Sequence, residues 1–153
     1  QSILENCQLA NSARELKGDS GEAASVEPSQ TTDPDIANDM RKKFPAVYRC
    51  ADGHYVRSRA EMLIDNWLYM SGIVHAYERK VPVEEDAYCD FWIPSGKVFI
   101  EFWGMENDPA YAARKQAKLD IYAKYELNLI ELRDADIENL DDNLPKKLLK
   151  FGV

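Results

Sequence analysis

The chain reads as an α/β protein, a mixed β-sheet flanked by helices. Three observations predict this. Ala60, Leu63, Ile64, Trp67 and Leu68 recur at steps of three and four, the period of a helix with one apolar face. Residues 90–104 read as two apolar strands joined by Pro94-Ser95-Gly96. A long helical stretch opening at Asn107-Asp108-Pro109 is followed by the apolar run 127–132. From the first long helix the element order is α-β-β-β-α-β, with further helices at the C-terminus.

Residues 1–34 are rich in Ser, Glu, Gln, Thr, Ala and Gly, and they read as an acidic tail. A short helix is expected at 2–16 and a linker at 18–34. Residues 35–153 form the expected folded domain. It opens with a short helix at 35–43, stopped by Pro45. Residues 47–50 are extended, and Asp52-Gly53 is a turn signal. The first long helix starts at Ser58, and Gly72 stands where a C-terminal cap belongs. Strands are expected at 73–77, 87–93 and 97–103. The second long helix reaches about residue 125, a strand covers 127–132, and helices cover 136–140 and 143–151.

At 153 residues the chain is long enough for one domain with a substantial core. It begins at Gln1 without an initiator Met, so it is expected to be part of a longer protein. Three widely spaced cysteines, Cys7, Cys50 and Cys89, cannot make a full disulfide framework, which points to a reducing, cytoplasmic setting. No apolar run is long enough to span a membrane. The net charge of −8 is uneven: residues 1–40 carry eight acids and two bases, leaving 19 acids and 17 bases in the remainder. This acidity argues against broad electrostatic attraction to nucleic acid.

Each strand of the 90–104 hairpin carries one carboxylate among residues that want to be buried. Phe99, Glu101 and Trp103 share one face of the third strand by alternation, as Tyr88, Asp90 and Trp92 do on the second. If the faces match, Asp90 and Glu101 reach one cation, and hard oxygens suit Mg²⁺ or Mn²⁺. Otherwise Asp90 pairs with Arg79 or Lys80, and Glu101 with a buried base. Glu61 admits three roles. It completes a capping box with Ser58, pairs with Arg57, or joins the two strand acids. On the second long helix Tyr111, Arg114, Lys118 and Tyr122 form one stripe, beside an apolar face of Ala110, Ala113, Ala117 and Ile121. Lys115 and Lys124 read as solvated. A zinc-binding interaction domain built on Cys50, His54, Cys89 and His75 is disfavoured, because there is no Cys-x-x-Cys pair and only Cys50 and His54 are close in sequence. His54 reads instead as a turn residue or a substrate contact.

Together these residues resemble the PD-(D/E)XK nuclease superfamily. Glu61, Asp90 and Glu101 match its three acids. The phrases Asp52-Gly53-His54-Tyr55-Val56-Arg57-Ser58-Arg59-Ala60-Glu61 and Ile100-Glu101-Phe102-Trp103-Gly104 look like those of uncharacterised bacterial and phage members. The resemblance covers about residues 40–133. It implies a restriction-endonuclease-like fold and Mg²⁺- or Mn²⁺-dependent hydrolysis of phosphodiester bonds, with DNA the expected substrate. It implies that Asp90, Glu101, the carbonyl of Phe102 and Glu61 hold the metal, while Arg57, Arg59, Arg114, Tyr111 and His54 meet the substrate. The superfamily's strand lysine is replaced by Trp103, and Lys118 is the candidate for a lysine moved to the following helix, ahead of Lys115. If neither lysine serves, the domain is an inactive nucleic-acid-binding or protein-interaction module. An upstream domain, a partner protein or a second copy of the chain is expected to supply further affinity.

Overall fold

The computed structural model describes residues 43–105 and 107–153. The expected tail at 1–34, and all but the last residue of the helix expected at 35–43, lie outside the described residues. A hairpin comes first, β1 (Tyr48–Arg49) and β2 (Tyr55–Val56), with Tyr48 opposite Val56 and Arg49 opposite Tyr55. The Cys50 N–H donates to the His54 carbonyl at 2.8 Å. Gly53 takes φ of 96°, a conformation open to glycine at little cost.

Helix α1 (Arg59–Met70) starts as its capping box dictates. The Glu61 N–H donates to Ser58 Oγ, and the Ser58 N–H donates to Glu61 Oε2, both at 3.1 Å. It ends in the turn expected at Gly72, where φ is 70°. The Ile73 N–H donates to the Leu68 carbonyl and the Gly72 N–H to that of Tyr69, the two bonds of a Schellman closure.

The main sheet runs β3 (Ala76–Tyr77), β4 (Phe91–Ile93), β5 (Val98–Trp103), β6 (Asn128–Arg133) in that spatial order. Its first two pairings are antiparallel and the last is parallel. The parallel pair needs a crossover, which α2 (Pro109–Lys124) supplies. Two helices follow, α3 (Asp134–Glu138) and α4 (Leu140–Leu149), the second with Pro145 inside it. The fold is therefore α/β with a four-stranded mixed sheet, and no described helix is long and apolar enough to cross a membrane.

Alternation along β4 and β5 divides the core. Phe91, Ile93, Val98 and Ile100 pack with Ile64 and Leu68 of α1 and with Leu140, Leu144 and Leu148 of α4. Phe99 and Trp92 face the other way, toward Tyr122 of α2, beside the cluster of Val81, Ala87 and Cys89. A buried sheet covered by helices on both faces explains why β5 reads as a continuous apolar run.

Three expectations change. The strand expected at 73–77 pairs only from Ala76, because Ile73 is spent closing α1. The strand expected at 87–93 is regular only from Phe91. Lys80 still bridges Tyr88 in the same register, and the break falls at Glu78, whose φ is +47°. The apolar face assigned to α2 holds at Ile121, which is half-buried beside Tyr122, and fails at its three alanines. Ala110, Ala113 and Ala117 are exposed, while the half-buried Tyr111, Arg114 and Lys118 and the buried Tyr122 form the inner side.

Ser58→Ala removes the cap of α1 and should cost about 1 kcal/mol of unfolding free energy. The urea midpoint should fall with the slope of the transition unchanged.

Candidate functional site

The β4–β5 register places Phe91 opposite Ile100, so one step further along this antiparallel pair Asp90 stands across from Glu101 on the α2 side of the sheet. Asp90 is half-buried, and its Oδ2 accepts from the Phe102 N–H at 2.7 Å. Glu101 is only 1% exposed. Its Oε2 accepts from Lys118 Nζ at 2.7 Å and its Oε1 from the Tyr122 hydroxyl at 2.6 Å. The inner stripe of α2 exists to meet this carboxylate. An apolar helix face would have left Glu101 without a partner, at a cost of several kcal/mol.

Glu61 approaches from the start of α1. Its Oε2 accepts from the backbone of Arg57 and Ser58 and from the Tyr77 hydroxyl, at 2.9, 3.1 and 2.9 Å. Glu61 thus fills the capping role, and the charge of Asp90 acts on it from across the site. Burial, then the charge of Asp90, pushes the Glu61 carboxyl up to about 7. The same two causes push Glu101 up to about 8, against the pull of Lys118 and Tyr122. Burial also raises Asp90, opposed by Lys118 and by the Phe102 N–H. Burial pulls the Lys118 ammonium down, but Glu101 and Asp90 outweigh it and hold the lysine charged. The Tyr122 and Tyr77 hydroxyls are raised by burial and by the acids they bond.

The carbonyl of Phe102 accepts from the Tyr111 hydroxyl at 3.3 Å, and that hydroxyl accepts from the Gly104 N–H at 3.2 Å. Tyr111, expected at the substrate, is therefore fastened to the end of β5. Arg114 stacks over the Tyr111 ring at 5.9 Å. Lys115 and Lys118 both lie over the Trp103 indole, at 5.3 and 5.7 Å, and Lys118 is the one that reaches Glu101. Arg59 is exposed in the first turn of α1. Arg57 is committed within the protein. Its Nε and Nη2 donate to Glu78 at 2.6 and 3.1 Å, and its Nη1 donates to the Phe44 carbonyl. His54 sits with Asp52 and Asp65, its Nδ1 2.8 Å and 3.1 Å from their carboxylates.

Sequence reasoning missed Glu78, the partner of Arg57, and Tyr77, the donor to Glu61. Neither carries a local signal, since each acts across more than ten residues of chain. Comparison with protein-family models, with curated proteins and with solved structures finds no match for the chain.

The raised carboxyls set a direction for stability. In the unfolded chain both glutamates take their ordinary 4.5, and in the fold about 7 and about 8. Between these values the folded state holds more protons than the unfolded state, so stability falls as pH rises. Without divalent metal, melting temperature should be higher at about pH 5.5 than at about pH 8.5. Asp90→Asn should flatten that difference, since the Asp90 charge helps raise both groups. An unchanged slope in the variant would show that the acids do not interact.

Proposed function

We propose that residues 35–153 form a metal-dependent nuclease of the PD-(D/E)XK type, with a restriction-endonuclease-like arrangement of its sheet, acting on nucleic acid and on DNA in the first instance. The observation that carries the reading is the contact of Lys118 with Glu101, with Asp90 directly across the hairpin. It joins two strand acids and a helix base in the order that the resemblance requires.

The donor set fits Mg²⁺ or Mn²⁺. Asp90, Glu101 and Glu61 offer carboxylate oxygens, and all three are raised by burial, with the Asp90 charge adding to the rise of both glutamates. A divalent cation relieves that repulsion. The Phe102 carbonyl, which accepts from the Tyr111 hydroxyl, offers a further hard oxygen. Bound there, the ion supplies Lewis acidity and a lowered pKa for water.

The residues of the chain supply the rest. Glu61, held by the Arg57 and Ser58 N–H groups and the Tyr77 hydroxyl, is placed to orient the attacking water. Lys118 holds a positive charge beside Glu101, where it steadies charge that develops on the phosphoryl oxygens. Its place on α2 compensates for Trp103, which cannot carry charge on β5. Arg114 and the exposed Arg59 supply contacts to backbone phosphates. With an acidic chain, much of the affinity for nucleic acid falls to a further domain, a partner protein or a second copy.

The direct test is incubation with labelled single- and double-stranded DNA and RNA, with Mg²⁺, Mn²⁺ or chelator. Cleavage should require the metal and vanish in Asp90→Ala and Glu101→Ala. Binding without cleavage of any substrate would overturn the enzymatic reading in favour of an inactive binding module. Lys118→Ala should lower the cleavage rate by about 10²- to 10³-fold while sparing metal binding. Lys115→Ala, which removes a contact with the Trp103 ring, should be mild, and the reverse ranking would remove Lys118 from its assigned role.

A further inference from the structure

A second group of potential ligands lies outside the three acids. Asp52 and His54 come from the turn of the β1–β2 hairpin, Asp65 from the middle of α1, and His75 from the segment leading into β3. One ligand atom from each lies within 4.8 Å of all the others. Asp65 is fully buried and the His75 side chain is 4% exposed. A buried carboxylate demands a compensating positive charge. Among the described residues, the ion-pair partners of Asp65 are the rings of His54 and His75.

The position of His75 makes the case. Its Nδ1 is 2.9 Å from the Ile73 carbonyl oxygen, which only accepts, so Nδ1 carries a ring proton. Nε2 faces Asp52 Oδ2 at 3.4 Å and Asp65 Oδ2 at 3.2 Å, and it makes no hydrogen bond. A cation held between that nitrogen and the two carboxylate oxygens satisfies all three. Asp65 Oδ1 is also without a hydrogen-bond partner.

The ligands choose the cation. A four-coordinate ion with ligands at 2.0–2.2 Å has ligand–ligand edges of about 3.3–3.6 Å. The four His–Asp separations here are 2.8, 3.1, 3.4 and 3.2 Å, so three of them open by a few tenths of an ångström to take the ion. Two imidazoles with two carboxylates suit Zn²⁺ and its neighbours in the transition series, and they do not suit Mg²⁺ or Ca²⁺. The Ile73 carbonyl gives His75 the outer partner that orients a ligating imidazole. Asp52 and His75 also line a surface cavity of about 320 Å³, which gives an ion a route in.

We propose that Asp52, His54, Asp65 and His75 bind one divalent transition-metal ion of the Zn²⁺ class. The ion ties the β1–β2 hairpin to α1 and to the start of β3. Paired strands of two residues are marginal alone, and this tie fixes the hairpin against the N-terminal half of α1. The site stands independently of the nuclease reading, since it shares no ligand with Asp90, Glu101 or Glu61.

The test uses the full chain, stripped with chelator and titrated with Zn²⁺ by calorimetry, with Co²⁺ as a spectroscopic probe. One ion per chain, a rise in melting temperature with Zn²⁺ and four-coordinate Co²⁺ bands are expected. His54 is exposed enough for His54→Ala to fold, and that variant should bind Zn²⁺ at least about tenfold more weakly. Glu84→Gln, at an exposed acid outside both clusters, should bind Zn²⁺ as the parent chain does. Absence of Zn²⁺ binding by the parent chain would overturn the proposal. Unchanged binding in folded His54→Ala, or loss of Zn²⁺ in Glu84→Gln, would also overturn it.

Discussion

The carboxylate of Glu101 is the constraint around which this half of the molecule is arranged. It lies inside the central strand of the sheet, where a lone charge would cost more than most single interactions return. Two hydrogen bonds, from Lys118 and Tyr122, make that position tolerable. They decide which way α2 turns, with its polar stripe inward and its alanines to solvent. They also place a charged ammonium beside two hairpin acids, an arrangement that packing forces alone would not select.

Compensation is incomplete, and this incompleteness carries chemical meaning. Lys118 is one positive charge against Asp90, Glu101 and the nearby Glu61, and the carboxyls remain raised. A fold that keeps unbalanced acids together gives up stability at neutral pH. Along α1, Asp65 lies one turn beyond Glu61 on the same side, so the helix reaches both clusters. Oxygen donors dominate the first cluster, whereas the second mixes imidazole with carboxylate, so the two differ in the ions they favour.

Much of the local structure was legible in the chain. Ser58 and Glu61 announced the start of α1, and Gly72 announced its end. Pro94-Ser95-Gly96 joined two strands whose acids meet in register. The steps from Tyr111 to Tyr122 identified one stripe of a helix. What misled was the rule that alanines mark a buried face. Alanine is small enough to be indifferent to exposure, so Ala110, Ala113 and Ala117 yielded the inner side to residues with a partner on the sheet. The zinc set weighed on the sequence, Cys50, His54, Cys89 and His75, held both histidines of the cluster but not Asp52 and Asp65, which come to them from the hairpin turn and from α1.

The sequence by itself determined the elements, because helix periods, caps and turns are set by residues within a few positions of one another. It also set the face that each of Asp90 and Glu101 takes within its own strand, and the β4–β5 register put the two on the same side. Only the tertiary structure decided who stands opposite whom. Glu78 takes the guanidinium of Arg57, Tyr77 reaches Glu61, and His54 meets His75 across the first helix. Those pairings depend on how α1 and the β1–β2 hairpin sit against the edge of the sheet. No periodicity along the chain encodes that, because the summed burial of both core faces fixes it.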